Sequence, residues 1–281
     1  MNDRNILRSI ALIGVAGSIM LGGCHNKQQK DTAADTDEVQ TFVLDTVVYA
    51  RAGDTIPSCK LTFRLAYLAG NDSVNRAIRR ELFGAQYAKL TAPVFADSLA
   101  ARYSADYHAD IAELLEADLQ NGMKPADVPA WYNYEYDLSS TLARGMEGIW
   151  NYTLTDFEYT GGAHPNTVVA MLNVTDKGGK ALKRDDVFAP DATAGLAPLI
   201  VKGLAQIANE RTDTDTITSL KGLRAAGILL DADPYIPDNF LLGKDTLTLQ
   251  YNRYEIAYYA MGDFTVKIPL AEAKKYLKPI E

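Results

Sequence analysis

Apolar and polar residues alternate with a period of two along two runs in the middle of the chain. Trp150, Tyr152 and Leu154 share one parity in the first run, and Val168, Ala170, Leu172 and Val174 do so in the second. A period of two puts every second side chain on one face, as a half-buried antiparallel pair requires. Between the runs lies Tyr159-Thr160-Gly161-Gly162-Ala163-His164-Pro165-Asn166. Gly161-Gly162 tolerates φ > 0, while Pro165 fixes φ and withholds a donor, so the segment predicts a tight, shaped connection. Phe157 and Tyr159 fall on the parity opposite to Trp150 and Tyr152, which predicts a bulge near Thr155-Asp156.

The same reading extends in both directions. Phe42, Leu44, Thr46 and Val48 alternate in one strand, and Leu61, Phe63, Leu65 and Tyr67 in a return strand over Ser58 to Leu68, with Arg51 to Pro57 connecting them. Asn71-Asp72-Ser73 offers N-cap oxygens for a helix reaching about Lys89, with Val74, Ile78, Leu82 and Phe83 as its stripe. A second helix is expected from about Val94 to Asn121, with Leu99, Tyr103, Tyr107, Ile111, Leu114 and Leu115 at helical spacing and Gly122 stopping it. Tyr132, Tyr134, Tyr136 and Leu138 then alternate in a strand that Gly145 to Gly148 turns into the central pair. A helix over residues 193–210 follows, then a loop through Pro234 and Pro237. Strands at Asn239 to Leu242, Thr246 to Tyr251 and Phe264 to Ile268, and a helix from Leu270 to Leu277, close the chain. The mixed order and the hairpin signals give an α+β fold, a mainly antiparallel sheet packed with several helices.

The first residues predict an address. Arg4 and Arg8 precede an uncharged apolar run from Ile10 to Met20, and Leu21-Gly22-Gly23-Cys24 fits a bacterial lipobox. Residues 1–23 are read as a lipoprotein signal peptide and Cys24 as the lipidated residue, which would place the protein at the cell envelope, periplasmic or on the surface, with the lipid bilayer as its first partner. Residues 24–40 are polar and lack aromatics, so they read as a disordered tether. Loss of residues 1–23 leaves 26 basic and 35 acidic side chains of the chain's 28 and 36. An acidic chain without a basic stripe argues against nucleic acid as partner. Only Cys59 then remains as a thiol, expected to be a small apolar strand residue.

Chemistry-bearing motifs are few. The histidines are His25, His108 and His164, with no His-x-x-x-His or Cys-x-x-Cys pair, so no metal is expected. No nucleophile elbow, phosphate-binding loop or dinucleotide fingerprint occurs, and no cofactor is expected. His25 falls in the tether and His108 reads as solvated. Asp185-Asp186, Asp213/Asp215 and Asp231/Asp233 lack calcium-loop spacing and read as surface acids. His164 remains, as a turn brace or as a base paired with Asp156 or Glu158.

Two segments carry a family resemblance. Tyr159-Thr-Gly-Gly-Ala-His-Pro-Asn166 resembles a segment of the RsiV-like extracytoplasmic domain, and Tyr254 to Gly262 followed by Val266 to Leu270 resembles that domain's C-terminal signature. Leu182 with Asp185-Asp186-Val187-Phe188 resembles a third passage, and the Tyr-rich strands before it are similar to the companion domain of PdaC-type deacetylases. The resemblance implies a PdaC-type subdomain over residues 41–160 and an RsiV-like subdomain over 161–281, facing the exterior or periplasm. In RsiV itself the domain binds lysozyme; the deacetylase of PdaC is a separate metal-dependent domain with no equivalent here. The first expectation is thus a non-catalytic binding module for a lysozyme-like protein or a peptidoglycan fragment. Its binding residues would be Tyr159, Gly161, Gly162, His164, Pro165 and Tyr258, with Tyr132, Tyr134, Trp150 and Tyr152 widening the face. An envelope hydrolase using His164 and a nearby carboxylate, or a structural lipoprotein, are the alternatives.

Overall fold

The computed structural model describes residues 38–50, 57–124 and 127–280. The stretch read as a signal peptide, Cys24, His25, most of the stretch read as a tether and most of the Arg51–Pro57 connection lie outside the described residues.

Six strands form the larger sheet in the order β1 to β6: Glu38–Tyr49, Ser58–Ala69, Tyr134–Arg144, Ile149–Tyr159, Asn166–Thr175 and Ala181–Leu182. All neighbours are antiparallel except β2 and β3, which run parallel after a crossover through α1 (Asp72–Leu82) and α2 (Ala92–Gln120). β1 starts at Glu38, inside the stretch read as tether, because cross-strand pairing of Glu38 with Ala69 recruits it. α1 stops at Leu82, short of Lys89; Gly84 takes φ 117 and a separate turn of helix covers Ala85–Tyr87. α2 presents Leu99, Tyr107, Ile111 and Leu115 to the sheet, whereas Leu114, expected in that stripe, is left exposed. The β3–β4 and β4–β5 registers run without interruption past Thr155-Asp156, so no bulge forms. The change in burial along β4 has another origin: Trp150, Tyr152 and Leu154 face the helices, while on the odd parity Ile149 and Asn151 are buried against the second half and the positions from Thr153 to Tyr159 are only half-buried.

The second half holds α3 (Arg184–Val187), α4 (Ala192–Thr212), α5 (Leu220–Ala225), the three-stranded antiparallel sheet β7 (Phe240–Leu242), β8 (Thr246–Tyr251) and β9 (Phe264–Pro269), and α6 (Leu270–Ala273). α5 interrupts the loop expected before Pro234; the Ser219 side chain caps it by accepting from the Gly222 amide. Leu196, Ile200 and Leu204 of α4 pack on Val266 and Ile268 in a core distinct from that under the larger sheet. Residues 37–281 nonetheless make one compact unit. The boundary drawn at residue 160 falls inside the β4–β5 hairpin, and both strands belong to the larger sheet.

Asparagines join the two sheets. Asn173 is 1% exposed; its Oδ1 accepts from Asn151 Nδ2 at 2.9 Å and from the Leu242 amide at 2.8 Å, and its Nδ2 donates to the Phe240 carbonyl at 2.9 Å. Gly145 must be glycine, since a Cβ would meet Asn151 Oδ1 and the Leu242 carbonyl at 2.4 Å each. Further along β5, Asn239 accepts from the Met171 amide and donates to the Val169 carbonyl, and Asn252 accepts from the Val169 amide. Amide side chains, able to give and take in the same plane, substitute for a neighbouring strand beyond the short β6.

Candidate functional site

The turn after β4 meets the loop between β8 and β9. Gly161 takes φ 80, and a Cβ there would sit 2.2 Å from the Trp131 carbonyl, so the glycine allows the turn to lie on that backbone. Gly162 needs no such freedom; a Cβ would meet only the His164 carbonyl at 3.8 Å. The Tyr259 hydroxyl donates to the Pro165 carbonyl at 2.9 Å, and the His164 ring stacks on Tyr259 with centroids 3.9 Å apart. His164 Nδ1 lies 3.4 Å from that same Pro165 carbonyl.

The opposing loop is held from beneath. Glu255 accepts from the Asn252 amide and from the Tyr235 hydroxyl, each at 2.9 Å, and the Leu229 amide donates to the Ile256 carbonyl. The Arg211 guanidinium donates to the Met261 and Asp263 carbonyls and covers the Phe264 ring. Tyr254 takes φ 67, an unusual conformation for a tyrosine, which the surrounding bonds enforce. The consequence is that Tyr254 is 65% exposed and Tyr258 56% exposed on a fixed backbone. Arg253 lies over Tyr259, 5.0 Å from its centroid, and Tyr258 lies against Gly227. Trp131, 43% exposed and stacked on Tyr132, borders the glycine turn.

The expected site residues are therefore only partly united. His164 and Pro165 meet Tyr259, which in turn lies beside Tyr254, while Gly161 lies against Trp131. Tyr159 is half-buried at the end of β4. Tyr132, Trp150 and Tyr152 are at most 2% exposed and belong to the core, and Tyr134 packs against it, so these do not widen the face. Trp131, Arg253, Tyr254 and Tyr259 take their place. Of these only the 254–259 run lay within a segment singled out in the sequence, and the left-handed turn that exposes Tyr254 has no signature in a tyrosine.

The acid–base alternative is not assembled. Asp156 and Glu158 lie on the β4 face that looks toward Arg102 and Tyr103 of α2, and among the described residues neither is a hydrogen-bond partner of His164. Burial, reinforced by Glu158, pushes the Asp156 carboxyl up to about 6, and its Oδ1 has no hydrogen-bond partner. His108, expected to be solvated, is a half-buried brace, with Nδ1 2.7 Å from the Ser104 carbonyl and Nε2 3.0 Å from that of Tyr49. Cys59 is fully buried in β2 and its thiol is pushed up to about 12, far from nucleophilic. Of the paired acids, Asp186 holds the Lys183 amide and Lys180. Among the described residues no group of three His, Cys, Asp or Glu is placed to hold a metal ion. A groove of about 740 Å³ runs along α4, but Asn209 at its wall is occupied by the Ile217 backbone. No helix among the described residues is long and apolar enough to cross a membrane.

Comparison with known proteins extends the fold and leaves the activity open. No curated protein matches the chain. One similar solved structure is a member of the DUF3298 family from Bacteroides fragilis NCTC 9343, at 26% identity and TM-score 0.74, covering 87% of this chain and 95% of that one. Another, a DUF3298 family protein from Pseudomonas aeruginosa PAO1, covers 86% and 96% at 17% identity and TM-score 0.55, a likeness of fold. The model of DUF3298, a protein family of unknown function, matches residues 185–271, from α3 to the start of α6.

Proposed function

We propose that this chain is a lipid-anchored, non-catalytic binding module of the bacterial cell envelope, and that the patch formed by Trp131, His164, Arg253, Tyr254 and Tyr258 receives an extracytoplasmic protein of lysozyme-like, basic character. The observation that carries the reading is the exposure of Tyr254 and Tyr258 on a loop braced by Arg211, Glu255 and Asn252. Tyrosine, tryptophan and arginine are the side chains that most often anchor protein interfaces, and a rigid backbone spares the ordering cost of association. A net charge of −8 favours encounter with a basic partner. The lipobox at Cys24 and the RsiV-like and PdaC-like resemblances of the two halves support the address and the partner class.

The test is binding of the full chain in detergent to lysozyme, with peptidoglycan fragments titrated in parallel. Saturable lysozyme binding, weakened about tenfold or more by Tyr258→Ala as for an interface anchor, is the expected result. Absence of binding at high micromolar concentration removes the lysozyme-like partner, and binding of the fragments alone reassigns the patch to glycan.

A further inference from the structure

We infer that β1 is a self-association edge, through which two copies of the chain pair antiparallel about a two-fold axis at Val43. In the sheet order β1 has one neighbour, β2, so its other side is an edge among the described residues. Which backbone groups face that edge follows from the hairpin. Ala50 donates to the Pro57 carbonyl, so in an antiparallel ladder the even-numbered residues of β1 bond to β2 and the odd-numbered ones turn outward. The Tyr49 carbonyl turns outward and is taken by His108. Val39, Thr41, Val43, Asp45 and Val47 thus present their amides and carbonyls along the edge.

The two edges of this sheet are treated differently. On β5, Asn239 and Asn252 fill the amide and carbonyl positions that no strand occupies. Along β1 nothing comparable occurs among the described residues between Val39 and Val47. The strand also lacks the devices that usually block edge pairing: it is 12 residues long, contains no proline or lysine, and carries one mid-strand charge, Asp45. Its outer face bears Val39, Val43 and Val47, 41%, 56% and 45% exposed.

The sequence of that face selects its own partner. Read in either direction it is Val, Thr or Asp, Val, Asp or Thr, Val. Pairing about Val43 sets Val43 against its copy, Val39 against the copy's Val47 and Thr41 against the copy's Asp45. On the other face Phe42 meets Leu44 of the copy. All the outward pairs are odd with odd, as the free backbone groups require, and together they would exchange about ten hydrogen bonds. A shift of two residues either way removes every Val–Val pair. The register also keeps the two Asp45 carboxylates from facing each other, a cost that would otherwise oppose pairing. Such an isologous contact closes on itself and does not propagate.

The test is the mass of the full chain in mild detergent, followed by light scattering over a concentration series. A dimer is expected. Val43→Lys sets two ammonium groups against each other at the axis and should weaken the dimer roughly a hundredfold, with the unfolding midpoint unchanged at concentrations where both proteins are monomeric, because Val43 is exposed. Thr41→Lys instead places its ammonium opposite Asp45 of the copy and should keep the dimer. A monomer at every concentration, a dimer indifferent to Val43→Lys, or dissociation by Thr41→Lys as complete as by Val43→Lys, each overturns the inference.

Discussion

The aromatic residues of this chain divide into two populations that sequence alone does not separate. Trp150, Tyr152 and Tyr251 in the strands, and Tyr132 just before β3, are at most 2% exposed, while Tyr254 and Tyr258, a few residues past β8, stand out into solvent. Both groups are hydrophobic, and both occur in segments with local aromatic enrichment. What distinguishes them is the backbone. A strand at the centre of a covered sheet delivers every second ring into a core, whereas a loop braced from beneath by Arg211, Glu255 and Asn252 can hold rings outward against the hydrophobic drive to collapse. Burial in the first population supplies stability; exposure in the second is available for recognition.

The contrast breaks most visibly on truncation. Tyr152→Ala should cost about 3–5 kcal/mol in denaturant unfolding, since it empties a large side chain from the main core. The polar joint between the two sheets comes next. Asn173→Ala leaves the Leu242 amide and the Phe240 carbonyl without their partner and should cost about 2–3 kcal/mol by the same measurement. Gly161→Ala tests whether the turn is held against Trp131: a Cβ at φ 80, 2.2 Å from a carbonyl, should cost about 1–3 kcal/mol.

A smaller effect has the opposite sign. Asp156 has its folded-state pKa raised to about 6 against an ordinary 3.8, so the folded protein binds that proton more tightly than the unfolded chain. Its contribution favours folding at low pH and is lost as pH rises from about 4 through about 6. Asp156→Asn should therefore raise stability by ~1–2 kcal/mol at pH 7, a figure reduced for the partial solvent access of the group, and the gain should vanish near pH 4. Paired carboxylates such as Glu81, lowered by Lys183 and Arg80, titrate the other way, so the wild-type and variant curves must be compared at each pH.

How much of this was legible in the sequence depends on the range of the interaction. The long strands, α2, α4 and the antiparallel character of the sheets followed from periodicity, because burial of one face imposes that period directly. The β4–β5 turn was legible too, since glycine and proline act locally. The end of α1, the short helix α5 and the absence of a bulge at Thr155-Asp156 were not. The first two turn on the conformation of a single residue, Gly84 at φ 117 and the Ser219 cap, and the third on the pairing of β4 with strands on both sides, none of which periodicity reports. The site was half visible: Gly161, His164 and Tyr258 stood out, whereas Trp131 and Arg253 join them only through tertiary packing. His164 read mainly as a turn brace and only secondarily as a base, and its stack on Tyr259 beside the Pro165 carbonyl fits the brace.

The central claim is that Tyr254 and Tyr258 are exposed for binding and contribute little to folding. It is tested most directly by the double variant Tyr254→Ala with Tyr258→Ala, assayed for lysozyme affinity and for unfolding free energy on the same full-length preparation. The expected result is affinity reduced by about two orders of magnitude, as for the loss of two interface anchors, with unfolding free energy within about 0.5 kcal/mol of wild type, as for exposed positions. Unchanged affinity, or a loss of stability comparable to that of Tyr152→Ala, would contradict it.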